Sequence, residues 1–133
     1  MGAHEDANRA VVRRYYREVW ETGRVEALDE LLAAEYRDHD PLPGFGGDRR
    51  DAAAMVEAAL SSLPARHLDV QHVVVEGDLA AAHWSLSWRS AEGVAGRMRG
   101  HDFFRVQDGR ITVELCIPGG ERRSRCDSST TGR

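Results

Sequence analysis

Residues 100–111 read GHDFFRVQDGRI, and this stretch decides what kind of sheet the chain builds. Side chains along a strand alternate between faces. Asp102, Phe104 and Val106 therefore share one face, and His101, Phe103 and Arg105 the other. The strand stops at the tight turn Gln107-Asp108-Gly109 and restarts at Arg110-Ile111. A single carboxylate, Asp102, stands beside a Phe and a Val and points toward an apolar space. A charge there is costly unless it is paired or chemically employed. In the alternative register, Asp102 faces water.

Working outward, strands are predicted at about 67–75, 79–90, 96–106 and 110–117, the first two joined by Glu76-Gly77-Asp78. Upstream the period changes. Val11, Val12, Tyr15, Tyr16, Val19 and Trp20 recur at helical spacing between Asp6 and Thr22, and Gly23 is a stop signal. A second helix is read over about 25–34, from Val25, Leu28, Leu31 and Leu32, followed by a short strand over 35–40. A third helix covers 51–63, with Asp48 or Asp51 available as its cap and Pro64 as its end. Helices segregated from an antiparallel sheet make the fold class α+β. There is no internal repeat. Residues 1–118 read as one domain, and residues 119–133, rich in Ser, Thr, Arg and Gly, as a flexible tail.

Composition removes several function classes. A chain of 133 residues holds one core and one pocket. A net charge of −4 speaks against nucleic acid as a partner, since the only basic cluster is Arg122, Arg123 and Arg125 in the tail. No apolar run is long enough for a membrane span and there is no leader-like segment, so the expected location is the cytoplasm. All 18 basic residues are Arg. Without Lys, no side-chain Schiff base or pyridoxal phosphate anchor is available. Cys116 and Cys126 have no metal-binding spacing, nor do the six histidines contain an HExxH or HxH pair. Neither a metal nor an organic cofactor is expected.

The segments VVRRYYREVW, LDELLAAEYRDHDPLPG, VVVEGDLAAAHWSLSW and GHDFFRVQDGRI, in this order and spacing, resemble the SnoaL-like polyketide cyclase family. That family lies within the cone-shaped superfamily named after nuclear transport factor two, which includes ketosteroid isomerases. The resemblance covers roughly residues 8–115. It implies three helices on a strongly curved, mostly antiparallel mixed sheet enclosing a deep apolar pocket. Asp102 falls where such cyclases place their catalytic acid/base, for aldol closure of a small hydrophobic carbonyl compound. An epoxide-bearing substrate, opened by cyclisation or hydrolysis, is the variant, and it calls for a second acid to protonate the departing oxygen, a role open to His39, Tyr16 or Glu114. The departures are specific. Arg89-Ser90 stands where many members carry the His partner of the aspartate, and Glu114 is displaced by one from the usual Ile-x-Glu-x-Trp ending, whose Trp is gone.

Several residues could stand in for that partner or line the pocket. On the 79–90 strand, Ala80, Ala82, Trp84, Leu86 and Trp88 share the face turned into the cone, which places Trp84 and Trp88 beside Asp102 as aromatic walls or core packing. Tyr16 carries a hydroxyl that either donates to a developing oxyanion or is tethered at the core's edge. Trp20, read mainly as helix–sheet packing, is placed on the pocket wall with Phe104 and Met55. His39, in YRDHDP at the pocket mouth, either serves the site or pairs with a flanking carboxylate on the surface. His72, grouped with Leu68, Val70 and Val74, is a weaker candidate. The opposite face (His83, Ser85, Ser87, Arg89, His101, Phe103, Arg105) is expected to form a homodimer. An enzyme and a non-catalytic ligand-binding module remain open. Two or three polar groups converging on Asp102 favour the enzyme, and a lone carboxylate paired to Arg favours binding.

Overall fold

The computed structural model describes residues 2–118, so the expected tail at 119–133 lies outside the described residues. Helix α1 (Ala3–Arg14) runs on into a π-helical turn, Tyr15–Glu21. Val12, Tyr15, Tyr16 and Val19 are buried at the spacing read from the sequence. Gly23, at φ +80°, ends the segment. The second helix is shorter than expected. A 3-10 turn (Val25–Ala27) leads into a single α-turn, α2 (Leu28–Leu31), and strand β1 begins at once over Leu32–Asp38. The Leu-Leu-Ala-Ala-Glu run is helical by propensity, but parallel pairing with the last strand takes Leu32 out of the helix and overrides it. Helix α3 (Arg49–Ser61) is capped by Asp48, whose side chain accepts from the Asp51 backbone N–H at 3.0 Å.

Four long strands follow: β2 (His67–Glu76), β3 (Leu79–Arg89), β4 (Ala95–Gln107) and β5 (Arg110–Pro118). The sheet has the order β1-β5-β4-β3-β2, parallel only between β1 and β5. It is an open, mixed, five-stranded sheet carrying three helices, an α+β architecture of the expected cone type. The β4–β5 turn places Asp108 and Gly109 at φ +52° and +78°, as a two-residue hairpin with right-handed strand twist requires. Along β4 the burial alternates as read: Asp102, Phe104 and Val106 face the core, while His101, Phe103 and Arg105 face out.

Two bulges break the alternation elsewhere. In β2, Val70 pairs with Trp84 but His72 pairs with His83, leaving Gln71 as an extra residue. His72, expected beside Leu68 and Val70, is thereby turned outward and exposed, together with Val74. Its ring stacks on His83, which stacks on His101 in turn. In β5, Val106 pairs with Ile111 while Arg105 pairs with Val113, so Thr112 is the extra residue. The slip brings Glu114, three residues after Ile111, onto the same inner face as Ile111.

Candidate active site

Between the helices and the inner face of the sheet lies a cavity of about 290 Å³. Tyr15, Tyr16 and Trp20 enter it from the π-helical turn, an irregularity common at functional sites. Met55, Ala59 and Ser62 come from α3 and its end, and Leu68, Trp84, Leu86 and Met98 from the sheet. Four carboxyls complete the wall: Asp38, Asp40, Asp102 and Glu114. No Arg or His lines it among the described residues.

Asp102 is held by two side chains from different elements. The Tyr16 hydroxyl donates to Oδ2 at 2.5 Å, and the Trp84 indole N–H donates to the same oxygen at 3.0 Å. The indole reaches Asp102 because it lies flat over Gly100, its cross-strand partner. A Cβ there would sit 2.3 Å from Trp84 Cζ2. Ala82, directly opposite Asp102, keeps the space in front of the carboxyl open. Oδ1 is buried and has no hydrogen-bond partner among the described residues. Burial pushes the Asp102 carboxyl above its ordinary value, and the Asp38 charge adds to this. Hydrogen bonds from Tyr16, Cys116 and Trp84 work against it.

The second buried carboxyl belongs to Glu114. Tyr36 donates to its Oε1 at 2.7 Å and Tyr15 at 3.1 Å, with a long 3.5 Å contact from Tyr15 to Oε2. Burial first, then the charges of Asp102 and Asp38, hold this carboxyl well above the usual range. Asp38 pairs with Glu114 across β1 and β5, and its own carboxyl is likewise raised by burial. Asp40 accepts from the Cys116 backbone N–H at 3.0 Å and ties the loop after β1 to β5.

The structure brings together Asp102, Tyr16, Trp84, Trp20 and Met55 of the expected site, and parts from it at four residues. His39 is exposed and outside the cavity, because Asp38 takes the inward position at the end of β1 and the chain turns away. Phe104 is fully buried behind the wall, packed edge-on against the rings of Tyr15 and Tyr16. Trp88 lies over Gly96 near the end of β3, packed on the core but not in the cavity. His72 is on the outer face. Both Tyr15 and Tyr16 face the cavity, where the sequence required only one of them to, with Tyr16 preferred; Tyr36, Asp38 and Asp40 were not singled out by the sequence as site residues, although Tyr36 and Asp38 alternate with Arg37 on the short strand. Among the described residues, no group of three or more His, Cys, Asp or Glu is placed to hold a metal ion. No described helix is long and apolar enough to cross a membrane.

Solved structures share this architecture. A protein from Jannaschia sp. CCS1, described as a "putative SnoaL-like polyketide cyclase", superposes with a TM-score of 0.83 at 16% identity, covering 100% of this chain and 97% of that one. A "putative polyketide cyclase" from Acidithiobacillus ferrooxidans gives 0.79 at 21% identity, over 95% and 96% of the two chains. IdmH from Streptomyces antibioticus, described in the same words, gives 0.72 at 25% identity, over 84% and 91%. No curated protein matches the sequence. The SnoaL-like domain family matches residues 12–114, nearly the whole described fold, and the chain belongs to that family.

Proposed function

We propose that this protein is a cofactor-independent cyclase or isomerase of small hydrophobic carbonyl compounds, with Asp102 as its proton carrier. One observation carries the reading: Tyr16 and Trp84 converge on a single oxygen of a buried carboxyl that lines an apolar cavity, and among the described residues no Arg pairs with it. A structural carboxylate would be neutralised by a cation. This one is oriented by two neutral donors, and its Oδ1 has no hydrogen-bond partner among the described residues.

In the proposed reaction, the Asp102 carboxylate takes a proton from a carbon next to a carbonyl group. Burial raises the basicity of the carboxylate toward that task. In a cyclisation, the enolate carbon attacks a second carbonyl carbon of the same molecule. The C–H bond breaks, a C–C bond forms, and the attacked oxygen becomes an alkoxide that takes up a proton. In an isomerisation, the proton returns to a different carbon. The aromatic and aliphatic wall excludes water and holds the substrate near its reactive geometry. A cavity of about 290 Å³ lies at the small end of ligand sites and suits one or two fused rings.

The test uses a triketone probe, a cyclohexanedione bearing a methyl ketone side chain, whose aldol closure gives a bicyclic ketol. Wild type is expected to exchange the probe's α-hydrogens in heavy water and to close the ring. Asp102→Asn, which keeps shape and removes basicity, should slow both by about 10²–10⁴-fold with binding retained. An Asn variant that exchanges at the wild-type rate refutes Asp102 as the base. Wild type that binds the probe without exchanging it supports a binding module instead.

A further inference from the structure

The Asp102 reading leaves half of the proton traffic unassigned, because an oxygen that becomes anionic in the cavity needs a donor. No cationic side chain lines the cavity among the described residues. The Tyr16 hydroxyl and the Trp84 indole N–H are both spent on Asp102. Glu114 remains. Its side chain is buried, lines the same cavity and has no ion-pair partner among the described residues. The groups around it are two tyrosines and two further acids: Asp38, its register partner, and Asp102, its diagonal neighbour across β4 and β5. Ionised, it would add a negative charge to an apolar chamber that already holds acids on both sides. The geometry also says which oxygen carries the proton. Oε1 accepts from both Tyr36 and Tyr15, whereas Oε2 has only the 3.5 Å contact.

We propose that Glu114 is the acid partner of Asp102, giving its Oε2 proton to the alkoxide formed when the enolate attacks the second carbonyl. This rests on the reading of Asp102 as base. The balance closes. Asp102 gains the proton of the broken C–H bond, Glu114 loses one to the new hydroxyl, and one proton passing from Asp102 to Glu114 resets the pair. Tyr36 and Tyr15 are positioning residues that hold Oε1 and leave Oε2 to the substrate.

Two measurements test it. Infrared difference spectra of wild type minus Glu114→Gln at pH 7 should show the carbonyl stretch of a protonated carboxylic acid, and Asp102→Asn should retain that band. A carboxylate signature at Glu114 overturns the proposal. With the triketone probe, Glu114→Gln should keep α-hydrogen exchange within about threefold of wild type and lose ring closure by about 10²-fold or more. Asp102→Asn loses both. Ring closure at the wild-type rate in Glu114→Gln removes Glu114 and leaves Asp102 standing, while undiminished exchange in Asp102→Asn removes the base reading on its own. Tyr36→Phe supplies a milder variant. Losing that donor destabilises the Glu114 carboxylate, so the alkaline limb of the ring-closure profile should move to higher pH. An unmoved limb assigns that proton to another group.

Discussion

Gly100→Ala adds one methyl group to the sheet and should disturb the site through Trp84. The new Cβ would lie 2.3 Å from Cζ2 and 2.9 Å from Cε2 of the indole, far inside contact distance. The indole cannot yield freely, because its Nε1 holds Asp102 at 3.0 Å and its ring forms the cavity wall. Overpacking of this kind costs about 1–3 kcal/mol. Tilting the ring away also loses a hydrogen bond to a carboxyl, about 1.5–3 kcal/mol when the carboxyl is charged. Replacing Gly by Ala in a strand returns about 0.5–1 kcal/mol of backbone entropy. The net expectation is a loss of about 1.5–5.5 kcal/mol, a large part of the roughly 5–15 kcal/mol that holds a domain together. Urea unfolding of a double-mutant cycle isolates the cause. In a Trp84→Leu background the obstructing ring is gone, so Gly100→Ala should there cost less than about 0.5 kcal/mol or stabilise. An equal cost in both backgrounds would refute the argument, because the clash would then lie with the backbone or another neighbour.

Two further predictions concern charge and assembly. Burial and neighbouring charges raise the folded-state values of Glu114 and Asp102, so the folded protein binds more protons than the unfolded chain. Their stabilisation is therefore complete below about pH 4, near the unfolded values, and is lost as pH rises through the folded ones. Thermal unfolding followed upward from about pH 4 should show a part of wild-type stability that falls as pH rises, and Glu114→Gln should flatten that slope. Equal slopes would refute it. On the outer face, Val74, Ala81, Phe103 and Leu115 align across four strands, with Phe103 41% exposed. Such an apolar row suits a homodimer interface. Sedimentation at tens of micromolar, a concentration scale about that of common affinities, should show a dimer that Phe103→Arg converts to monomer. A monomeric wild type would refute it.

Where the pleat is regular, the chain was legible. Period-two alternation from Gly100 to Gln107 places Asp102 inward with Phe104 and Val106, and the Asp-Gly pair marks the hairpin. Local pattern fails where tertiary pairing intervenes. Nothing in the run His67 to Glu76 announces an extra residue at Gln71, yet that residue turns His72 from the inner face to the outer one. The Thr112 bulge has the opposite consequence: strict alternation from Ile111 would send Glu114 to solvent, and the extra residue brings it into the cavity. Tyr16 and Trp84 were each visible as inward aromatics, but their meeting on one oxygen depends on helix–sheet packing that no single segment encodes.

The division of labour between the two carboxyls follows from their surroundings rather than their type. Both are buried, and burial alone would push both toward the neutral form. Asp102 accepts from two neutral donors, Tyr16 and Trp84, on Oδ2 alone, which leaves Oδ1 without a hydrogen-bond partner among the described residues. Glu114 receives two such bonds and lies against two acids. The charge of either carboxyl opposes ionisation of the other, so the two titrate as a coupled pair that holds on to one proton, which the proposed roles leave on Glu114. One carboxylate and one carboxylic acid of such a pair face a single apolar cavity, a base and an acid with no cation in the wall among the described residues. A nearby Arg would stabilise an anionic intermediate more strongly. It would also hold both carboxyls ionised, and the acid would be lost.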